Sequence, residues 1–277
     1  MLRTINDLED YAIRASDGDI GHVKDVYFDD QTWAIRYLVV DTGTWLSNQK
    51  VLISPIAIGN PNWENKVLPV SITKDQVRNS PSINTDMPVS RQQEMQVLDH
   101  YGYPYYWEGY GSMGGGVYPN LLLSGYANLS PPHNHEDPEL KRASVEAQAA
   151  LHKDDDLHLR SCEAVKDYHV HATDGDIGHI QDMLVDDESW AMRYMIVNTS
   201  NWWLGHQVLI PPNCIQNMNW PDAQVSVNLT RQAVKDSPPY NPEMQVDRKT
   251  EMYIYKHYGL TGYWIEAVKH GDSKPTP

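Results

Sequence analysis

Through most of the chain, apolar and polar residues alternate with a period of two, in short runs cut by turn residues. Residues 10–15 begin the pattern: Tyr11 and Ile13 alternate with polar neighbours and predict a strand. Asp17-Gly18 follows, a hairpin signal because glycine accepts positive φ without a Cβ clash. Residues 20–29 predict a second strand, in which Gly21 marks a bulge or a close backbone approach. Residues 33–42 predict a third, rich in β-branched and aromatic side chains. Leu38, Val39 and Val40 are apolar at consecutive positions, so this strand is expected to be covered on both faces. Residues 50–55 predict a fourth strand stopped by Pro55, and residues 66–71 a fifth. The pattern then turns helical. Thr73 and Gln76 have capping-box spacing, as do Ser90 and Gln93. Met95, Val97 and Leu98 form an apolar stripe over residues 90–100, with Gly102 as the stop signal.

The whole arrangement occurs twice. Residues 15–58 return as residues 172–215, with Asp17 matched by Asp174 (174 − 17 = 157) and Trp33 by Trp190 (190 − 33 = 157). Of the 44 paired positions 22 are identical, without a gap, which makes duplication the governing fact of the architecture. The same offset relates Leu2-Arg3 to Leu159-Arg160, Arg91, Glu94 and Met95 to Arg248, Glu251 and Met252, and Tyr106-Trp107 to Tyr263-Trp264. The expected organisation is therefore a first repeat over residues 1–107, a linker over 108–157, a second repeat over 158–270 and a disordered tail over 271–277. Each repeat ends in a helix, and a pseudo-twofold axis is expected to relate the two. The linker is rich in Gly, Tyr and Pro, with an apolar patch at residues 121–126 and a short helix expected over residues 139–150.

Composition narrows the function more than the fold. A chain of 277 residues has room for two cores. A net charge of −15 argues against a nucleic-acid surface, which needs clustered Lys and Arg, and against electrostatic docking on an anionic bilayer. No apolar run approaches 18 residues, and the first residues lack the hydrophobic core of a signal peptide, so the expectation is a cytoplasmic protein with no membrane span. Cys162 and Cys214 stand where the first repeat has Ile5 and Ala57, which predicts two buried thiols and no disulfide.

Five short strands with tight turns in about 70 residues predict a mainly β protein of small barrels or tightly rolled sheets. The strings DGDIGHVKDVYFDD, WAIRYLVV, KVLISP and a late NSP, with DGDIGHIQDMLVDD, WAMRYMIV, QVLIPP and DSP in the second copy, resemble the PRC-barrel family. The resemblance covers roughly 80 residues per copy, and the chain as a whole is similar to bacterial tandem PRC-barrel proteins whose helix ends in an HYG…YW string. It implies two small antiparallel β-barrels, each followed by a short helix, and a protein-interaction role. It brings no catalytic motif.

The Asp17/Asp19 and Asp174/Asp176 turns are poor cation sites, because a hard cation wants six to eight oxygens; hairpin turns whose carboxylates bond their own backbone account for them better. His22 and His179 read as structural histidines in the strand after the turn. His100 and His257 sit at helix C-termini, where an imidazole can bond the last carbonyls. Arg36 and Arg193 sit mid-strand and are expected to pair with the Asp of a neighbouring strand. His169 and His171 share one strand face, and His133 and His135 form a second His-x-His in the linker, so the four make a weak candidate zinc set. Trp45, Trp63, Trp202, Trp203 and Trp220 lie in loops and are the candidate interaction surface, although packing between repeats explains them too. No G-x-S-x-G, P-loop, dinucleotide fingerprint or H-E-x-x-H is present. The resulting expectation is a non-catalytic interaction or assembly module with a protein partner, compatible with homo-oligomerisation and needing no cofactor. A ligand- or metal-binding stress-related protein using an inter-repeat cleft or the His pairs is the first alternative, and a hydrolase using the His and Asp residues near the turns is the second.

Overall fold

The computed structural model describes residues 1–82, 89–107, 159–199 and 206–265. The linker, His133, His135, Trp202, Trp203, the expected helix over 139–150 and the tail all lie outside these residues. Among the described residues the fold is mainly β, with two sheets of six and seven strands and few, short helices. Among the described residues no helix is long and apolar enough to cross a membrane.

The chain opens with a three-residue strand β1 (Leu2–Thr4) and a one-turn helix α1 (Ile5–Leu8), capped by the Thr4 side chain. Then come β2 (Ala12–Ala15), β3 (Gly18–Asp29), β4 (Ala34–Asp41), β5 (Lys50–Ile53) and β6 (Val67–Pro69). These are the five strands read from the period-two pattern. β4 is buried at seven of its eight positions, as expected for a strand covered on both faces. The helices α2 (Lys74–Arg78) and α3 (Arg91–Tyr101) follow, and both begin with complete capping boxes, Thr73/Gln76 and Ser90/Gln93. Gly102 ends α3 at φ 71°, in the left-handed region.

The second copy supplies β7 (Leu159–Ser161), α4 (Cys162–Val165), β8 (His169–Ala172), β9 (Gly175–Asp186), β10 (Met192–Asn198), β11 (Gln207–Ile210), β12 (Ile215–Asn219) and β13 (Gln224–Val227). It ends with α5 (Arg231–Lys235) and α6 (Arg248–His257). The six-stranded sheet has the order β5-β4-β3-β2-β6, with β7 on the flank of β3. The seven-stranded sheet has the order β11-β10-β9-β8-β13-β12, with β1 on β9. Pairing is antiparallel at β2/β3, β3/β4, β4/β5 and β3/β7, but β2/β6 and β8/β13 are parallel. In the first copy, the stretch between β5 and β6 returns the chain in the direction of β2.

Two compact units result. One comprises Met1, residues 3–164 and residues 185–192; the other comprises Leu2, residues 165–184 and residues 193–277. The first unit thus includes β7, which by sequence belongs to the second copy. β7 is fastened by its backbone register, Tyr27 with Ser161 and Asp29 with Leu159. Side chains add to this: Arg160 Nε donates to Asp30 at 2.8 Å and Ser161 Oγ to Asp25 at 2.6 Å. The core of this unit packs Tyr27, Tyr37, Val39 and Leu52 of the sheet against Val97 and Leu98 of α3, with Tyr106 and Leu159. Each fully buried aliphatic side chain of this kind contributes about 1.5–3 kcal/mol. Tyr101, Tyr103, Tyr105 and Trp107 lie half-buried over it.

Gly21 is a close approach of two backbones. A Cβ there would stand 1.9 Å from the Asp41 carbonyl oxygen, and the β2/β3 register shifts beside it. Gly178 repeats the contact with Asn198. Cys162 and Cys214 are both buried thiols outside any disulfide, as their apolar counterparts suggested.

Candidate functional site

The residues singled out by sequence fall into separate places. The first carboxylate of each turn reaches past its own hairpin to the helix that follows. Asp17 Oδ1 accepts from the backbone N–H of Lys74 at 2.8 Å, and Asp174 Oδ1 from that of Arg231 at 2.7 Å. Each therefore satisfies an orphan donor in the first turn of α2 or α5, which a carboxylate does better than it does its own turn. Asp19 instead pairs with Arg14 Nε at 2.8 Å on the surface. Asp29 does hold its own turn, accepting from the N–H groups of Gln31 and Thr32.

The histidines at the ends of α3 and α6 also reach further than expected. His100 Nε2 meets the Gln76 carbonyl of α2 at 2.7 Å, and His257 Nε2 meets the Ala233 carbonyl of α5 at 2.7 Å. They tie the two helices of each copy together; they do not close the last turn of their own helix. His169 stands opposite His179 in the β8/β9 register, and His171 Nδ1 lies 2.5 Å from Asp176 Oδ1. No group of three or more His, Cys, Asp or Glu is placed to hold a metal ion among the described residues.

Trp45, Trp63 and Trp220 are half-buried, each engaged by its own unit. The Trp45 indole N–H donates to the Ile20 carbonyl, and Lys74 lies 4.5 Å over its ring. Arg3 stacks 3.7 Å over Trp63, which meets Tyr11 edge-on at 5.9 Å. Trp220 packs on Tyr168 at 5.8 Å. Trp45, His22 and Asp19 do come together, around an open hollow of about 500 Å³ that Lys24 and Asp41 also line.

One buried, strongly perturbed acid is not among the candidate residues named from the sequence. Glu94 lies on the inner face of α3 and is 3% exposed. Its Oε2 accepts from Tyr106 Oη at 2.6 Å and from Tyr37 Oη at 3.5 Å, and its Oε1 from Arg91 Nη1 at 3.1 Å. Arg91 Nη1 also donates to Tyr106 Oη at 2.8 Å. Arg36 lies 3.7 Å over the Tyr106 ring and donates to Asp29 at 3.3 Å, the cross-strand pairing expected of it. Burial pushes the Glu94 carboxyl up to about 7; Arg91 and the Tyr106 hydroxyl pull the other way. Burial likewise raises the Tyr37 and Tyr106 hydroxyls well above their ordinary range.

The second unit repeats this cluster. Glu251 Oε1 accepts from Tyr263 at 2.7 Å and Tyr194 at 3.1 Å, its Oε2 meets Arg248 at 2.7 Å, and Arg193 stacks 3.7 Å over the Tyr263 ring. In each copy a strand supplies an Arg-Tyr pair, a helix an Arg-x-x-Glu, and the segment after that helix a tyrosine. Chemically the cluster is a latch that docks the helix on the sheet through a fully occupied carboxylate. The signal was present in the sequence: Glu94, Val97, Leu98 and Tyr101 share one helical stripe, so a charged residue sits on an otherwise apolar face, in both copies.

Residues 2–77 match the family model of the PRC-barrel domain. A stretch of 73 residues is 36% identical to an uncharacterised protein of Deinococcus radiodurans, covering 26% of this chain and 26% of that one.

Proposed function

Residues 2–77 carry a PRC-barrel domain, and from that premise we propose that the chain is a tandem PRC-barrel protein working as a non-catalytic interaction or assembly module for a protein partner in the cytoplasm. The observation that carries this reading is the state of Glu94. Burial holds its carboxyl near neutrality, yet both its oxygens are taken by Arg91, Tyr106 and Tyr37. A general acid or base must reach the proton of a substrate. Here a substrate would have to displace the tyrosine and the arginine that hold α3 in place. The polar cluster is spent on docking a helix, which supports a role for the surface. The duplication supports the same reading, since two similar domains in one chain present two related surfaces. Affinity purification of the tagged chain from its native host, with mass spectrometry, tests the proposal: one or more proteins enriched reproducibly over a tag-only control are expected, and recovery of none sinks it.

A further inference from the structure

The large apolar side chains exposed among the described residues are Met1, Met244, Met252, Tyr253 and Ile265, so four of the five lie between residues 244 and 265. Two of them are on α6. That helix buries Glu251, Ile254 and Tyr255 against its own unit and turns Met252 (56% exposed) and Tyr253 (58% exposed) outward. Lys249 and Lys256 flank them at helical spacing i and i+7, about 10 Å apart along the axis. A hollow of about 600 Å³ lies on one side, lined by Lys249, Met252, Tyr253, Lys256, Trp264 and Ile265. A second, of about 570 Å³, lies on the other side, lined by Asp236, Pro238, Thr250, Tyr253, Lys256 and His257; its one carboxylate, Asp236, accepts from the Gln232 side-chain amide at 2.9 Å. Tyr253 is thus an exposed aromatic ridge between two depressions, a shape suited to an interface anchor.

The first copy lacks this face. Gln92, Gln96 and Asp99 occupy the positions of Lys249, Tyr253 and Lys256, and Met95 is 1% exposed where Met252 is open. The duplicated residues keep the latch, and the residues that differ create a basic, apolar face on α6.

We propose that this face of α6 docks an acidic, amphipathic α-helical segment of a partner protein; the proposal rests on the interaction-module reading and names its surface. Charge selects the occupant. The chain carries a net −15, so two lysines on either side of an apolar ridge are a local inversion of sign that fits carboxylates flanking an apolar anchor. A second copy of the chain fits poorly. Two α6 helices paired antiparallel about a twofold axis would set Lys249 of each against Lys256 of the other, like charges without compensation. An anionic bilayer fits poorly as well, because two lysines contribute about 1 kcal/mol each near a charged surface, against the repulsion of a strongly acidic chain.

The test uses the full chain and a fluorescein-labelled 16-residue peptide with Leu at i, i+3, i+4 and i+7 and Glu at most other positions, read by fluorescence anisotropy. Saturable binding is expected, at least tenfold tighter than to a scrambled peptide of the same composition or to a Lys-for-Glu version. Tyr253→Ser, and separately the double variant Lys249→Glu/Lys256→Glu, should weaken it at least tenfold with the circular dichroism unchanged. No saturation, equal binding of the scrambled peptide, or indifference to both variants overturns the proposal. So does self-association in sedimentation velocity, or binding to phosphatidylserine vesicles, that Tyr253→Ser abolishes. Affinity purification from the host with the wild-type and Tyr253→Ser chains separates the two levels. The same proteins on both baits overturn the docking face alone; no specific protein on either bait overturns the module reading beneath it.

Discussion

Replacing Glu94 by Gln tests the latch through its dependence on pH. A carboxyl held at about 7 in the folded protein, against an ordinary 4.5, binds its proton more tightly folded than unfolded. Between those two values the folded state carries the extra proton, so stability falls as pH rises. The stabilisation is fully present below 4.5 and is lost as pH climbs through 7. At about 1.4 kcal/mol per tenfold change in proton affinity, the complete loss is about 3 kcal/mol, of which about 2 kcal/mol falls between pH 5.5 and 8. Glutamine keeps the shape and the acceptor oxygen but cannot titrate. Its amide must point a donor toward Arg91 or the tyrosines, so the variant is expected to be less stable than wild type at pH 5.5, by about 1 kcal/mol. That gap should close and reverse by pH 8. Because the chain has two units, the opening energy is best read locally, by native-state hydrogen exchange at the Val97 and Leu98 amides of α3, corrected for the intrinsic rate at each pH. The difference between wild type and variant should swing by about 2 kcal/mol in favour of glutamine. A difference flat to within about 0.5 kcal/mol, or a swing in favour of glutamate, refutes the reasoning: the donors would then outweigh burial, and the carboxylate would be a net stabiliser.

Other consequences are as direct. Tyr106→Phe removes the 2.6 Å donor to Glu94 and the acceptor of Arg91, and should cost about 2–3 kcal/mol in urea unfolding, because a buried charge-assisted pair loses its partner. Gly21→Ala places a Cβ 1.9 Å from the Asp41 carbonyl, and should destabilise by more than about 4 kcal/mol or prevent folding, read as the loss of a cooperative thermal transition by circular dichroism. Ser90→Ala removes the cap of α3 and should lower stability by about 1 kcal/mol. The native chain should react with a thiol reagent at neither cysteine within minutes, and at both in denaturant, since both are buried and the Cys214 thiol is pushed up to about 11 by burial; rapid labelling of the native chain would contradict the burial.

What the sequence showed and what it concealed follow the range of the interactions involved. The strands β2 to β6, the capping boxes at Thr73 and Ser90, the stop at Gly102 and the close approach at Gly21 are written in residues a few positions apart, and all were legible. The strands β1 and β7 were not. LRT and LRS are too short to show a period, and β7 owes its conformation to β3, more than 130 positions away. Asp17 was read as a turn residue because its hairpin is local, while the helix N-terminus it serves lies 57 positions on. Glu94 is the instructive miss. Only Arg91 stands at helical spacing from it; Tyr37 and Tyr106 come from a strand and a loop, and no local rule joins them to it. Repetition was the available clue, because a charge that recurs on an apolar stripe in both copies, together with Arg36-Tyr37 and Tyr106, marks a shared buried network.

The pairing of β7 with β3 also puts a clock into synthesis of the chain. Tyr27, Phe28 and Asp29 meet Ser161, Arg160 and Leu159, so that flank of β3 has no partner strand until the ribosome has added some 130 further residues. At about 5–20 residues per second, this is a delay of roughly 6–26 s. Closing a loop of that length costs about 4 kcal/mol in chain entropy beyond a constant, more than a three-residue strand recovers by itself, so β7 must arrive with α4 and the segment behind it. For those seconds the nascent first repeat shows an open strand edge beside Tyr27 and Phe28, the kind of surface that recruits stray strands or a chaperone. A fragment ending at residue 157 would never leave that state.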